Sequence, residues 1–289
     1  MRGRLLIAVL AVATSWFPVP SQGAQAVPVE FLSEGSFVRG RFFPSVEENA
    51  IGTLLLVPGW PGNPQDVLGL GGLLAELDMN VLMFNPRGMH LSEGTFSFAN
   101  ALEDIGAALE WLRQSDTQER FSVDTTKIVL GGYSFGGGMA MACAATEPGV
   151  RRVISIAGND HGVFVRKVQG DPQYDEAIRQ MLTGARAPDG PARFDDVDLV
   201  LQELAEHQDV YGLQENASRL ADRSILLMGG WDDLQVSMED VLLPFYRALK
   251  EAGASDVTFL AYHDDHGFGS AREELATDIQ RWLSRHLSR

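Results

Sequence analysis

The chain has 289 residues, with 23 Lys plus Arg against 39 Asp plus Glu, and its formal charge of −16 repels polyanions, so nucleic acid is excluded as a partner. A content of 45% AVILMFWYC, with 30 Gly and 13 Pro spread along the chain, suits a packed globular protein and excludes a disordered or collagenous one. The lone Cys143 excludes an internal disulfide and a cysteine-based metal cluster.

In chain order, residues 1–26 read as a signal peptide. Arg2 and Arg4 precede an apolar run from Leu5 to Ala13, Pro18 and Pro20 end any helix, and Ala24-Gln25-Ala26 offers a small-residue cleavage site. The apolar run is shorter than the roughly 20 residues that cross a bilayer. The expected product is therefore secreted or periplasmic, begins near Val27 and makes no stable membrane insertion.

Short apolar runs follow at 29–32, 37–43, 53–57, 81–85, 127–130, 153–156, 225–228 and 257–262. The first two are polar enough for an edge hairpin. Helical periodicity appears at 101–114, with Leu102, Ile105, Leu109 and Leu112 on one stripe, and at 272–287, with Leu275, Ile279, Trp282 and Leu283. This alternation predicts an α/β fold with a mostly parallel central sheet and helices on both faces. It breaks at 159–223, where Gly, Pro and Asp punctuate amphipathic pieces such as 174–182 and 197–205. A structureless loop of that length is rare inside a compact domain, so a helical cap insertion is expected there. The mature chain, 27–289, is read as one domain carrying that insertion.

Gly132-Tyr133-Ser134-Phe135-Gly136 lies between a strand run and the small-residue run at 137–145, which reads as a helix. This strand, tight turn and helix context is what the Gly-x-Ser-x-Gly nucleophile elbow requires. The glycines let strand and helix approach closely, and Ser134 sits at a helix N-terminus, where N–H groups favour developing negative charge. On these residues, and on the order of elements from residue 53 onward, the chain resembles the α/β-hydrolase superfamily. Phe135 with Gly136-Gly137-Gly138 is similar to the dienelactone-hydrolase-like and prolyl-oligopeptidase-like branches.

A serine nucleophile needs a base and an orienting carboxylate. The resemblance assigns the base to His266, in Tyr262-His263-Asp264-Asp265-His266-Gly267-Phe268 after the last strand, with His263 the local competitor. It assigns the acid to Asp233 in Gly229-Gly230-Trp231-Asp232-Asp233-Leu234-Gln235-Val236; Asp232 is the alternative if Gly229 is the aligned glycine, and Asp160 is a third. The loop Pro58-Gly59-Trp60-Pro61-Gly62 stands where the family carries its oxyanion loop, and the expected donors are the N–H groups of Trp60 and Phe135. Arg87, in Asn85-Pro86-Arg87-Gly88, is expected to tie loops together at the rim, and Cys143 to pack behind the nucleophile. His263 and His266 with the aspartates between them also invite a metal reading, but His90, His161, His207 and His286 show no ligand spacing to complete such a site.

These parts imply an exported serine hydrolase that cleaves a small-molecule carboxylic ester through an acyl-enzyme, with no cofactor and no metal. A secreted peptidase is the alternative enzyme, and a non-catalytic small-molecule binder on the same fold is the alternative of another class.

Overall fold

The computed structural model describes residues 25–287. The signal peptide read at 1–26 therefore lies outside the described residues, apart from Gln25 and Ala26. Eight strands form one sheet: β1 (Val27–Ser33), β2 (Ser36–Phe43), β3 (Gly52–Val57), β4 (Met79–Asn85), β5 (Ile128–Tyr133), β6 (Arg152–Ile156), β7 (Ser224–Gly230) and β8 (Val257–Tyr262). Their order is β1-β2-β4-β3-β5-β6-β7-β8; β1, β2 and β4 pair antiparallel and every other neighbour is parallel. The helices are α1 (Leu70–Glu76), α2 (Phe98–Arg113), α3 (Ser115–Phe121), α4 (Phe135–Thr146), α5 (His161–Gly170), α6 (Pro172–Ala185), α7 (Val197–Glu206), α8 (Gln208–Tyr211), α9 (Leu243–Glu251) and α10 (Arg272–Leu287).

All eight strand expectations correspond to strands. The edge hairpin closes through Glu34 and Gly35, both at positive φ (46° and 78°), which is the two-residue turn whose twist matches its strands. Every residue of β3 and β4 is buried, because helices cover both faces. Alternate side chains serve opposite cores. Leu55, Val57, Leu82, Phe84 and Leu130 join α2 and α4 on one face, whereas Leu54, Leu56, Val81, Met83 and Val129 join α1 and α10 on the other.

The helix expected at 101–114 begins a turn earlier, at Phe98, because the Ser97 side chain accepts the Asn100 N–H and caps it. Leu102 is only half-buried, and Asp104 takes a core-facing position instead. Helices α5 to α8 occupy the segment between β6 and β7. The aspartates that punctuate this stretch are N-caps: Asp160 and Asp171 each accept two N–H groups, and Asp196 one, from the first turns of α5, α6 and α7.

These helices are tied to the rest of the domain by polar contacts. Glu203 of α7 accepts the N–H groups of Phe98 (2.9 Å) and Ala99 (2.7 Å), capping α2 from across the fold. Arg193 donates to the carbonyls of His90 and Ser92, and its backbone pairs with Gly88 and Phe96. The insertion is thus anchored on the loop that follows β4.

Candidate active site

The site is assembled at the carboxyl ends of the parallel strands, where ligand sites of open α/β sheets lie. Ser134 follows β5 and precedes α4 with φ 54° and ψ −119°, a backbone conformation that side-chain-bearing residues seldom adopt. The glycines around it are sterically required. A Cβ on Gly132 would stand 2.0 Å from the Gly136 carbonyl oxygen, and one on Gly136 would stand 2.3 Å from that of Val57.

Ser134 Oγ lies 3.0 Å from His266 Nε2, and His266 Nδ1 lies 2.7 Å from Asp233 Oδ2. An ionised carboxylate only accepts, so Nδ1 carries the imidazole proton and donates it to Asp233, which leaves Nε2 to accept from the serine hydroxyl. The Asp233 side chain is fully buried, and its second oxygen accepts the N–H groups of Gln235 (2.8 Å) and Val236 (2.9 Å). His266 keeps 12% of its side chain exposed, toward the cavity described below.

The loop carrying His266 is held from two sides. Tyr133 donates its hydroxyl to the His266 carbonyl (2.9 Å), and its ring centroid lies 5.0 Å from the imidazole. Burial, aided by the carboxylates of Asp233 and Asp265, pushes the Tyr133 phenol up to about 12, so it stays a neutral donor. Asp264 accepts the N–H groups of Ser270 and Ala271 and so anchors the start of α10.

The competing residues stand elsewhere. Asp232 is exposed, and its N–H bonds the Asp264 carbonyl. His263 is exposed. Asp160 is fully buried in capping α5, with its other oxygen accepting the Gln214 N–H. Cys143 is buried in α4, where burial pushes its thiol up to about 12, so it supplies no thiolate.

The loop after β3 lies against Ser134: a Cβ on Gly59 would be 3.2 Å from Ser134 Cβ. The Gly62 N–H donates to the Gly59 carbonyl, and Asn85 at the end of β4 brackets the loop by accepting the Asn63 N–H (2.7 Å) and donating to its carbonyl (3.0 Å). Among the described residues, neither the Trp60 N–H nor the Phe135 N–H has a protein acceptor. Arg87 is buried and forks onto α2, bonding Asp104 by Nε (2.6 Å) and Glu103 by Nη2 (2.5 Å). It therefore ties the β4 loop to α2 and makes no contact with the serine.

Ser134 and His266 open onto a cavity of about 330 Å³. Its walls are mostly apolar, drawn from Phe96, Phe98 and Phe135 of the core and from Ile178, Leu182 and Leu204 of the insertion, with Asn159, Lys167 and Gln235 among the polar exceptions. One wall residue went unassigned in the sequence reading. His161 is fully buried between Phe98 and Phe135 (ring centroids 5.0 and 5.5 Å), accepts from the Asn159 amide at Nδ1 and donates from Nε2 to the Phe135 carbonyl. Burial holds its pKa down at about 4, so it is neutral. Its position just after β6, at the strand end where site residues gather, was the available signal.

The protein-family model described as alpha/beta hydrolase fold matches residues 52–236. An uncharacterized protein of Salmonella typhimurium, YfhR, is 32% identical over 146 residues, which are 45% of this chain and 48% of that protein. The chain thus spans about half the length of the curated relatives it matches. A polyketide transferase of a Penicillium species, GrgF, is 26% identical over 136 residues, 45% of this chain and 44% of that protein. The crystal structure of GrgF has a TM-score of 0.66 at 20% identity, covering 92% of this chain and 100% of its own. An esterase of Pyrococcus furiosus has a TM-score of 0.64 at 16% identity, covering 90% of this chain and 91% of its own. At these identities the two structural likenesses concern the fold.

Proposed function

We propose, because the chain belongs to the α/β-hydrolase family, that it is a serine hydrolase that cleaves carboxylic esters through an acyl-enzyme. The observation that carries this reading is the continuous relay from Ser134 Oγ through His266 to the buried Asp233 carboxylate. His266 Nε2 takes the serine proton as Oγ attacks the ester carbonyl, and Asp233 stabilises the imidazolium that forms. The Trp60 and Phe135 N–H groups, both without protein acceptors, receive the negative charge that develops on the carbonyl oxygen. His266 then gives its proton to the departing alcohol, and water regenerates Ser134 by the same steps in reverse order.

The apolar cavity supports an uncharged ester group beside the nucleophile, and alkoxide departure needs less assistance than amine departure. The esterase name of the Pyrococcus furiosus neighbour supports the same chemistry. The basic, then apolar, then small-residue pattern of residues 1–26 supports export of the enzyme before it acts.

The test is turnover of p-nitrophenyl esters of short and medium acyl chains beside a peptide p-nitroanilide, by wild type and Ser134→Ala. Ester turnover that falls by about 10⁴-fold or more in the variant is expected. Turnover of the anilide alone, or equal turnover by the two proteins, would overturn the reading.

A further inference from the structure

Helix α5 supplies a wall of the cavity with a feature that a neutral ester does not need. His161, Phe164 and Lys167, at successive turns of α5, line the same cavity as Ser134. His161 touches the Phe135 carbonyl beside the nucleophile, and the helical rise carries Lys167 about 9 Å further along the axis. The wall between them is apolar, with Phe164, Tyr174 and Leu182 facing the cavity.

The sequence holds only three lysines. Lys127 pairs with Asp124, and Lys250 donates to the Ala254 carbonyl. Lys167 instead stands with its ammonium 4.4 Å from the Tyr174 ring centroid, and among the described residues no carboxylate lies within ion-pair distance of it. Lys167 is exposed at the rim of the catalytic cavity; an ammonium held there on the Tyr174 face, with no protein carboxylate beside it in a chain with 39 Asp plus Glu, can meet an anion at the cavity mouth.

The direction of the substrate follows from the relay. The leaving oxygen must lie beside His266 Nε2, which returns the proton, so the acyl group extends away from His266 into the aromatic wall. The cavity, about 330 Å³, is at the small end of small-molecule sites and suits a medium-length chain better than a long lipid. Resting on the serine-hydrolase reading, we infer that the preferred substrate is an ester whose apolar, medium-length acyl chain ends in a carboxylate, and that Lys167 binds that carboxylate and sets the preference. Hydrolysis then releases an alcohol and a dicarboxylic acid, with water as the only co-reactant.

The experiment compares mono-p-nitrophenyl suberate with p-nitrophenyl octanoate, equal in chain length and different in the terminal charge. Wild type, Lys167→Ala and Lys167→Arg are assayed at low and high salt. The wild-type suberate-to-octanoate ratio of kcat/KM is expected to fall about fivefold in Lys167→Ala, chiefly through KM, and to stay near wild type in Lys167→Arg. High salt should lower the same ratio. Turnover of both esters with a ratio that Lys167→Ala does not move overturns this inference alone. No turnover of either ester overturns the serine-hydrolase reading and this inference with it.

Discussion

One carboxylate oxygen of Asp233 lies 2.7 Å from His266 Nδ1, while the other accepts the backbone N–H groups of Gln235 and Val236. The carboxylate is therefore fixed by its own loop before it fixes the histidine. An amide at this position keeps the shape but offers an NH₂ group either to the imidazole or to two N–H donors. Asp233→Asn is expected to lower kcat for a p-nitrophenyl ester by about 10³- to 10⁴-fold with little change in KM. The exposed Asp232 makes no such contact, and Asp232→Asn should stay within about twofold of wild type. Steady-state kinetics of the two variants side by side check this.

Arg87, in the loop after β4, and Asp104 of α2 form a buried pair that makes no bond to Ser134, His266 or Asp233, and their role is in stability. Asp104 is fully buried and also accepts the Arg87 N–H, so Asp104→Ala leaves the buried Nε and backbone N–H of Arg87 without acceptors and its guanidinium paired with Glu103 alone. Unfolding in urea should show a loss of about 3 kcal/mol or more. A variant as stable as wild type would remove this tie from the account of how the β4 loop is held.

The strands were legible because each is a short apolar run, and β3 and β4 are apolar without alternation because both of their faces are covered. Ser134, His266 and Asp233, singled out from the elbow glycines and their order along the chain with Asp232 as the alternative acid, form one hydrogen-bonded chain, and the turn after β7 buries Asp233 while leaving Asp232 exposed. Helix α1 was not legible. Its segment, Leu-Gly-Gly-Leu-Leu-Ala-Glu, has no capping residue beside it, and its first turn is held by Asp66, which accepts the Gly71 and Gly72 N–H groups from several residues away. Gly71 is there because a Cβ would meet the Phe43 ring at 2.7 Å. Helix α3 escaped because it is short and mostly polar, burying only Thr117 and Phe121. Helix α9 follows an unusual wide turn at Met238–Leu242 that gives no regular period. Contacts such as Glu203 with the start of α2 join residues more than a hundred positions apart, and no local pattern announces them.

Glu203 gives a third prediction. It satisfies two first-turn N–H groups of α2 from within the insertion, so Glu203→Ala removes a cap and a tether together. A stability loss of about 1–2 kcal/mol is expected, with faster proteolytic cleavage between residues 159 and 223 under native conditions. Equal cleavage rates would contradict the tether.

The buried His161 makes stability depend on pH. Its pKa is held at about 4 by burial, against about 6.5 in an unfolded chain, so between these values the unfolded state binds a proton that the folded state refuses. The contribution is complete above about pH 6.5 and is lost as pH falls through about 4, to a limit of about 3 kcal/mol. His161→Gln removes the titration. The difference in urea unfolding free energy between wild type and this variant should therefore shrink as pH falls from 7 to 4.5, and a constant difference would refute the assignment.

Whether Ser134 is the nucleophile is read directly by covalent labelling. Purified wild type and Ser134→Ala are treated with a fluorophosphonate, and the modified residue is mapped by peptide mass spectrometry. One adduct is expected on wild type, at Ser134, with loss of esterase activity in proportion to labelling and no adduct on the variant. Labelling of Ser134→Ala at the wild-type rate, or an adduct at another residue that accompanies the loss of activity, would contradict it.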